Sequence, residues 1–278
     1  MNKYRITFVL FAFLLYAHQS TAASGKLVII GGGEKTFEIM QRIVKESGLD
    51  KGGYAVLLPM SSEEPDTAFY YTRLEFEAVG CKSIYELFCT KEQVNDPVKV
   101  DSILKAKLIF ISGGDQNRFM KLVSGSSVLR AIQDAYKNGS VLAGTSAGAA
   151  MMSEIMITGN SLKDSVYSST FNCIEPNNIE TGTGLGVLKD AIIDQHFVQR
   201  SRHNRLISAI IEFPEMKGIG IDESTAILVN GNDAEVIGVS QVLVYSNPKK
   251  SKMDRNGKYS AKGLTLDIYL PGEHFSIK

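Results

Sequence analysis

"VLAGTSAGAAMM", residues 141–152, is the stretch from which the fold is read. An aliphatic run ends in Gly144, a single hydroxyl follows at Ser146, and Ala147, Gly148, Ala149 and Ala150 then offer almost no side-chain volume. A β-strand that turns sharply into a helix needs such small neighbours, because a strained backbone leaves no room for a Cβ. The turn exposes its serine and places the hydroxyl beside the backbone N–H groups of a helix start. In a parallel α/β sheet that position is the carboxyl edge, where ligands bind. A lone G-x-S-x-G is a weak signal, so the surrounding segments have to carry the argument.

Outward from this turn, short aliphatic runs alternate with helical patterns. "KLVII" (26–30), "YAVLLP" (54–59), "SIYELF" (83–88), "KLIFIS" (107–112), "AIIDQHF" (191–197) and "GIGIDE" (218–223) read as strands. Phe37, Met40 and Val44 mark one helix, and an amphipathic stretch ends at Gly80. Val128, Ala131, Ile132, Ala135 and Tyr136 share a face that stops at Gly139, and Leu206, Ile207, Ile210 and Ile211 line another. The alternation predicts an α/β fold, a mostly parallel sheet with helices on both faces. From Ile219 on the pattern is β-rich, with a lysine-rich loop at 247–262. Residues 159–186 are polar and without periodicity, and long loops of this kind are often functional.

The N-terminus reads differently. Lys3 and Arg5 precede the apolar run 6–17, then polar "HQS" and small "TAAS", the order of a secretory signal peptide over residues 1–22. The run is shorter than the roughly 20 apolar residues of a spanning helix, so no stable membrane insertion is expected after cleavage. A secreted or periplasmic protein with one domain over residues 25–278 follows. The 30 basic and 30 acidic residues cancel, which gives a phosphate backbone nothing to attract it and argues against nucleic-acid binding. Cys81, Cys89 and Cys173 lack metal-ligand spacing and allow at most one disulfide. Nor is a nucleotide loop expected at "IIGGGEKTF" (29–37), where the third dinucleotide-binding glycine and "GK[ST]" are both missing; its glycines read as close backbone approach at a site edge. No organic cofactor and no metal is called for.

A serine hydroxyl needs a base. His18 belongs to the leader, His203 is expected on the solvent side of its helix, and His274 lies near the C-terminus. His196 ends the run "AIIDQ" and is expected at the same sheet edge as Ser146. The base needs an acid to fix its tautomer, and Asp222, Glu223, Asp164 and Asp194 are candidates. Asp222 and Glu223 should point to opposite sides of the edge, so one of them faces His196. "FISGGDQNRF" (110–119) ends a strand in two glycines before a helix capped by Asp115. Gly113 or Gly114 can aim an N–H at the same point as Ala147, which makes a two-donor oxyanion hole. The chain order Ser, His, acid differs from the Ser, acid, His order of α/β-hydrolases.

With "IGGGE", "SGGDQNR", "GTSAGAA", "DQHFVQRSRHNRL" and "GIGIDESTA" in this order between residue 28 and about 230, the sequence resembles the cyanophycinases, in the serine peptidase family that also contains dipeptidase E. The resemblance implies a class I glutamine-amidotransferase-like, flavodoxin-like sheet and a homodimer. It implies Ser146 as nucleophile, His196 as base and Glu223, not Asp222, as the acid. The implied reaction hydrolyses cyanophycin, a poly-aspartate whose β-carboxyls carry arginine, to β-Asp-Arg dipeptides. Each unit of that substrate has a free carboxylate, which guanidinium groups bind bidentately. Arg200, Arg202 and Arg205 follow His196 closely, with Arg200 and Arg202 the preferred pair. Gln116, Asp194 and Gln195 match the family's polar positions for substrate. An aspartyl dipeptidase or other isopeptidase with the same machinery, and an inactive binding protein, are the alternatives.

Overall fold

The computed structural model describes residues 25–164, 166, 168–246, 249–253 and 256–278. The expected signal peptide lies outside the described residues. The first half of the chain alternates: β1 (Leu27–Ile30), α1 (Phe37–Ser47), β2 (Ala55–Leu58), α2 (Pro65–Ala78), β3 (Ile84–Glu86), α3 (Pro97–Lys105), β4 (Leu108–Ile111), α4 (Gln116–Val123), α5 (Ser127–Lys137), β5 (Val141–Thr145) and α6 (Ala147–Ala150). The second half is strand-rich: β6 (Ile155–Ser161), β7 (Ile179–Thr183), β8 (Ala191–Gln195), α7 (His203–Glu212), β9 (Lys217–Ile221), β10 (Thr225–Asn230), β11 (Asp233–Gly238), β12 (Val242–Ser246), β13 (Lys250–Met253), β14 (Tyr259–Lys262), β15 (Thr265–Tyr269) and β16 (His274–Ser276).

The main sheet has the order β16-β11-β10-β1-β5-β4-β2-β3. β1, β5, β4, β2 and β3 pair in parallel, and the three strands beyond β1 are antiparallel. Both faces are covered, so the parallel strands are continuous apolar runs rather than alternating ones. On one face Leu27, Val56, Ile109 and Leu142 pack with Phe119, Val128 and Ile132 of α4 and α5. On the other, Val28, Leu57, Phe110 and Ala143 pack with Ile39, Met40 and Ile43 of α1 and Phe76 of α2. Side-chain caps start the helices as polar residues before them suggest: Asp115 Oδ1 accepts from the Asn117 N–H, and Ser126 accepts from Leu129.

Three expectations are corrected by the structure. β8 and β9 do not extend the main sheet; they pair with each other in a second sheet of order β15-β12-β9-β8. Its one face joins the main core through Ile193, Ile219 and Val244, and its other is covered by α7 through Leu206 and Ile210. His196 and Ser146 therefore come from two sheets whose carboxyl ends converge. The segment 159–186 is also less irregular than expected, since β6 and β7 form an antiparallel ladder with a register shift between Ile157 and Ser161. Within the lysine-rich stretch, β13 and β14 pair. His203 is half-buried rather than turned to solvent; its ring lies edge-on to Phe197 and its Nδ1 is 2.8 Å from the Tyr245 hydroxyl. The three cysteines are free, and burial raises the Cys81 and Cys89 thiols above their ordinary range. Among the described residues no helix is long and apolar enough to cross a membrane.

Candidate active site

Ser146 stands where β5 turns into α6. Its φ is 53°, a region side chains avoid, and its N–H donates to the Ile30 carbonyl at 3.0 Å, which holds the turn in place. The neighbouring glycines are required by contact. A Cβ on Gly144 would fall 2.6 Å from the Gly148 carbonyl carbon, and one on Gly148 would fall 2.5 Å from the Ile111 oxygen. The first turn of α6 thus lies directly on the backbone of β4 and β5.

His196 follows β8, also with positive φ (48°), and its N–H donates to the Gly31 carbonyl at 2.7 Å. Nε2 lies 2.9 Å from Ser146 Oγ, and Nδ1 lies 2.5 Å from Oε1 of Glu223. With the Nδ1 proton donated to the carboxylate, Nε2 is left as the acceptor for the serine O–H. Glu223 sits in the three-residue crossing from β9 in the second sheet to β10 in the main one. Ser224 closes that crossing by donating its N–H to Gly32 at 2.8 Å. The glycine turn after β1 is the floor of the arrangement. A Cβ on Gly32 would stand 2.3 Å from His196 Cε1, and one on Gly33 would stand 2.8 Å from the Glu223 Cβ. The serine–histidine–glutamate row is thereby built on a surface free of side chains.

Burial pushes the His196 pKa below its ordinary value, and the Arg200 and Arg202 charges push the same way against the opposing Glu223 hydrogen bond. The imidazole is therefore neutral near pH 7 and able to accept a proton. Ser146 itself is half-buried, so substrate can reach it. Gly113, at the end of β4, is the neighbour on the other side; a Cβ there would lie 3.3 Å from the Ser146 Cβ. Among the described residues, the amides of Gly113, Gly114 and Ala147 donate to no protein acceptor, as amides reserved for a ligand oxygen would.

The polar residues expected at the substrate divide sharply. Arg205 and Asp194, 2 % and 1 % exposed, are spent on each other: Arg205 Nε donates to Asp194 Oδ2 at 2.7 Å, and Nη2 donates to Oδ1. Arg202, also 2 % exposed, donates to the Gln195 carbonyl and side-chain oxygen at 2.7 and 2.8 Å and to the Ser169 carbonyl. Gln116 is buried and donates to the carbonyls of Ile157 and Thr158, which ties α4 to β6. Substrate contact by Gln116, Asp194, Arg202 and Arg205 is corrected to internal support, because each is buried and bonded to other parts of the protein, although Nη1 of Arg205 is left without a hydrogen-bond partner. Gln195 is likewise enclosed, with its oxygen taken by Arg202. Arg200 differs. It is half-buried, makes no side-chain hydrogen bond or ion pair with a described residue, and lies near enough to His196 to act on its charge.

Two supports escaped the sequence reading. Asp222 is not a second acid at the histidine: Oδ1 accepts from the N–H groups of Val198 and Gln199 at 3.1 and 3.0 Å, and Oδ2 accepts from Ser240 at 2.9 Å. It fixes the turn between His196 and Arg200. Ser61, after β2, donates to the carbonyls of Ser112 and Gly113, and its own carbonyl packs on Gly114. The small polar run "SSEE" after a strand was the available signal. Asp164 lies apart from the histidine and shares hydrogen bonds with Ser161.

A hydroxyl, an imidazole and a carboxylate in a row at the carboxyl edge of an α/β fold is the arrangement of a serine-type hydrolase. Comparison with known proteins makes the class specific. Residues 27–237 match Peptidase family S51, and the chain belongs to that family, as a serine-type peptidase. It is 30 % identical to the cyanophycinase of Nostoc sp., over 92 % of this chain and 87 % of the relative. The cyanophycinase of Geminocystis herdmanii is 33 % identical over 91 % of this chain and 93 % of its own. A peptidase E of Actinobacillus pleuropneumoniae is 26 % identical over 55 % of this chain and 63 % of its own. Among solved structures, a peptidase from an acI-B1 Actinobacterium superposes with a TM-score of 0.66 at 20 % identity, over 92 % of this chain and 98 % of that one, which shows a shared fold.

Proposed function

We propose that the protein is an exported serine exopeptidase that hydrolyses cyanophycin-type β-aspartyl-arginine polymer to β-Asp-Arg dipeptides. The observation that carries this is the continuous row Ser146 Oγ, His196 Nε2 and Nδ1, Glu223 Oε1 at 2.9 and 2.5 Å, in a chain about a third identical to two cyanophycinases over nine-tenths of its length. Ser146 Oγ attacks the scissile carbonyl carbon while His196 Nε2 takes the hydroxyl proton. Glu223 holds Nδ1–H and stabilises the imidazolium. The tetrahedral oxyanion is met by the amides of Ala147 and of Gly113 or Gly114, aimed where charge develops. On collapse the carbon–nitrogen bond breaks, and His196 delivers its proton to the leaving amine. Water then attacks the acyl-enzyme, its proton passing to His196 and on to Ser146. Arg200, which has no side-chain hydrogen bond or ion pair among the described residues, supplies the guanidinium for the carboxylate beside the scissile bond. No step calls for a metal or an organic cofactor.

The test is product identification by mass spectrometry, with the mature enzyme and its Ser146→Ala variant incubated with cyanophycin and with a panel of Asp-X dipeptides. The expected result is β-Asp-Arg from the polymer, lost by about 10⁴-fold or more in the variant. Cleavage of dipeptides alone would keep the nucleophile and overturn the polymer as substrate. Hydrolysis of neither would favour the binding-protein alternative.

A further inference from the structure

The glycine floor beneath His196 and Glu223 is held at both ends and bare between them. Up to Gly32 the backbone is bonded to its neighbours: the Gly31 N–H donates to the Thr225 carbonyl at 2.9 Å, and the carbonyls of Gly31 and Gly32 accept from His196 and Ser224. From Thr36 on the chain belongs to α1, whose Ile39 N–H donates to the Thr36 hydroxyl oxygen. In the span between, Gly33, Glu34 and Lys35 make no backbone hydrogen bond with a described residue. Yet Gly33, at φ 69°, is the position whose Cβ would meet Glu223. Lys35 ties this span to α2. Its Nζ lies 2.9 Å from Oε2 of Glu75, with the lysine side chain 12 % exposed and the glutamate 29 %. Burial raises the Glu75 carboxyl, Lys35 opposes that, and the Glu34 charge adds a smaller push upward. Each charge of the pair is thus largely enclosed and depends on the other for compensation.

We propose that Lys35 and Glu75 are positioning residues, whose ion pair holds the glycine floor against Glu223 and so keeps the catalytic row aligned. The inference rests on the roles given above to Ser146, His196 and Glu223, and on no particular substrate. Without the tether the span 33–35 can shift, Glu223 loses the surface it packs on, and the bond from His196 Nδ1 to Oε1 weakens. Neither residue is assigned a contact with the reacting atoms, so the loss falls on kcat and not on KM.

Steady-state kinetics and the low-field NMR resonance of the His196 Nδ1 proton test this together. Lys35→Met and Glu75→Gln should each lower kcat about tenfold with KM within about twofold, a partial share of the roughly 100-fold that a 1 Å displacement costs. In both variants the Nδ1 proton should move upfield or broaden at the pH where the parent shows it, as a weakened bond to Glu223 requires. The exchanged pair, Lys35→Glu/Glu75→Lys, should recover kcat to within about threefold and restore the resonance, because charges that act as a pair are not additive. A resonance unmoved in both single variants would overturn the proposal, whatever happens to thermal stability, and so would an exchanged pair no better than either of them. Ser146→Ala, assayed in parallel, separates the readings. Turnover that survives it overturns the catalytic row and the tether together, whereas turnover lost there and unaltered in the pair variants overturns the tether alone.

Discussion

His196 carries more of the design than its place in a row of three implies. Enclosed over Gly32 and flanked by Arg200, it is pushed toward the neutral form, so the acid limb of kcat/KM should fall below the ordinary histidine value of 6.5. Arg200 lowers that pKa, and removing its charge raises it. Arg200→Gln should therefore move the limb to higher pH and raise KM for carboxylate-bearing substrates; a pH–rate profile with no upward shift would contradict the assigned position of this guanidinium. Gly32 makes the complementary case. A methyl group there would meet the imidazole at 2.3 Å on a backbone of φ 115°. Gly32→Ala should lose about 100-fold or more in kcat with thermal unfolding changed far less, because a displacement near 1 Å at the reacting groups costs that much. At this scale much was legible. Ser146 and His196 stand out as residue types at strand ends and the glycines as places where nothing else fits, whereas Asp222 and Glu223 are equivalent by position and only the family resemblance prefers Glu223. The burial of Arg202 and Arg205 was not legible, since charge on a helical pattern reads as solvated until the partner, here Asp194, is known.

The turn from His196 to Arg200 is the element to which the proposed function assigns substrate recognition, and Asp222 holds it through two backbone amides and Ser240. Asp222→Asn keeps the size and weakens the charge-assisted bonds, so it should raise KM several-fold with a smaller change in kcat, as loss of Arg200 positioning requires. An equal fall in kcat with KM unchanged would place Asp222 in the chemistry instead. Below this turn the Asp194–Arg205 pair is a buried ion pair. Asp194→Ala leaves a guanidinium enclosed without its counter-charge and should destabilise the protein by about 3–5 kcal/mol, read from denaturant midpoints. The strands themselves were readable because continuous aliphatic runs between helical stretches have few other solutions. The sheet each joins was not: β8 and β9 carry the same pattern as β1 or β4, and pairing partners are chosen by tertiary packing. The β6–β7 ladder was hidden for another reason, its polar and glycine-bearing strands having little periodicity to detect.

Across the molecule, two sheets deliver their carboxyl ends to one point. β1, β4 and β5 bring the glycine floor, the amides of Gly113, Gly114 and Ala147, and Ser146, whereas β8 and β9 bring His196 and Glu223. The crossing at Asp222–Glu223–Ser224 joins the two, so the geometry of the site is as firm as the contact between the sheets through Ile193, Ile219 and Ile221. On the proposed function, this convergence makes Ser146 a nucleophile that forms an acyl-enzyme. Intact-protein mass spectrometry followed by peptide mapping, after exposure to a serine-directed fluorophosphonate, measures it most directly. The expected result is a single adduct on the peptide bearing Ser146, absent in Ser146→Ala and formed at least about 100-fold more slowly in His196→Ala. An adduct on a different residue, or undiminished labelling without His196, would contradict the account.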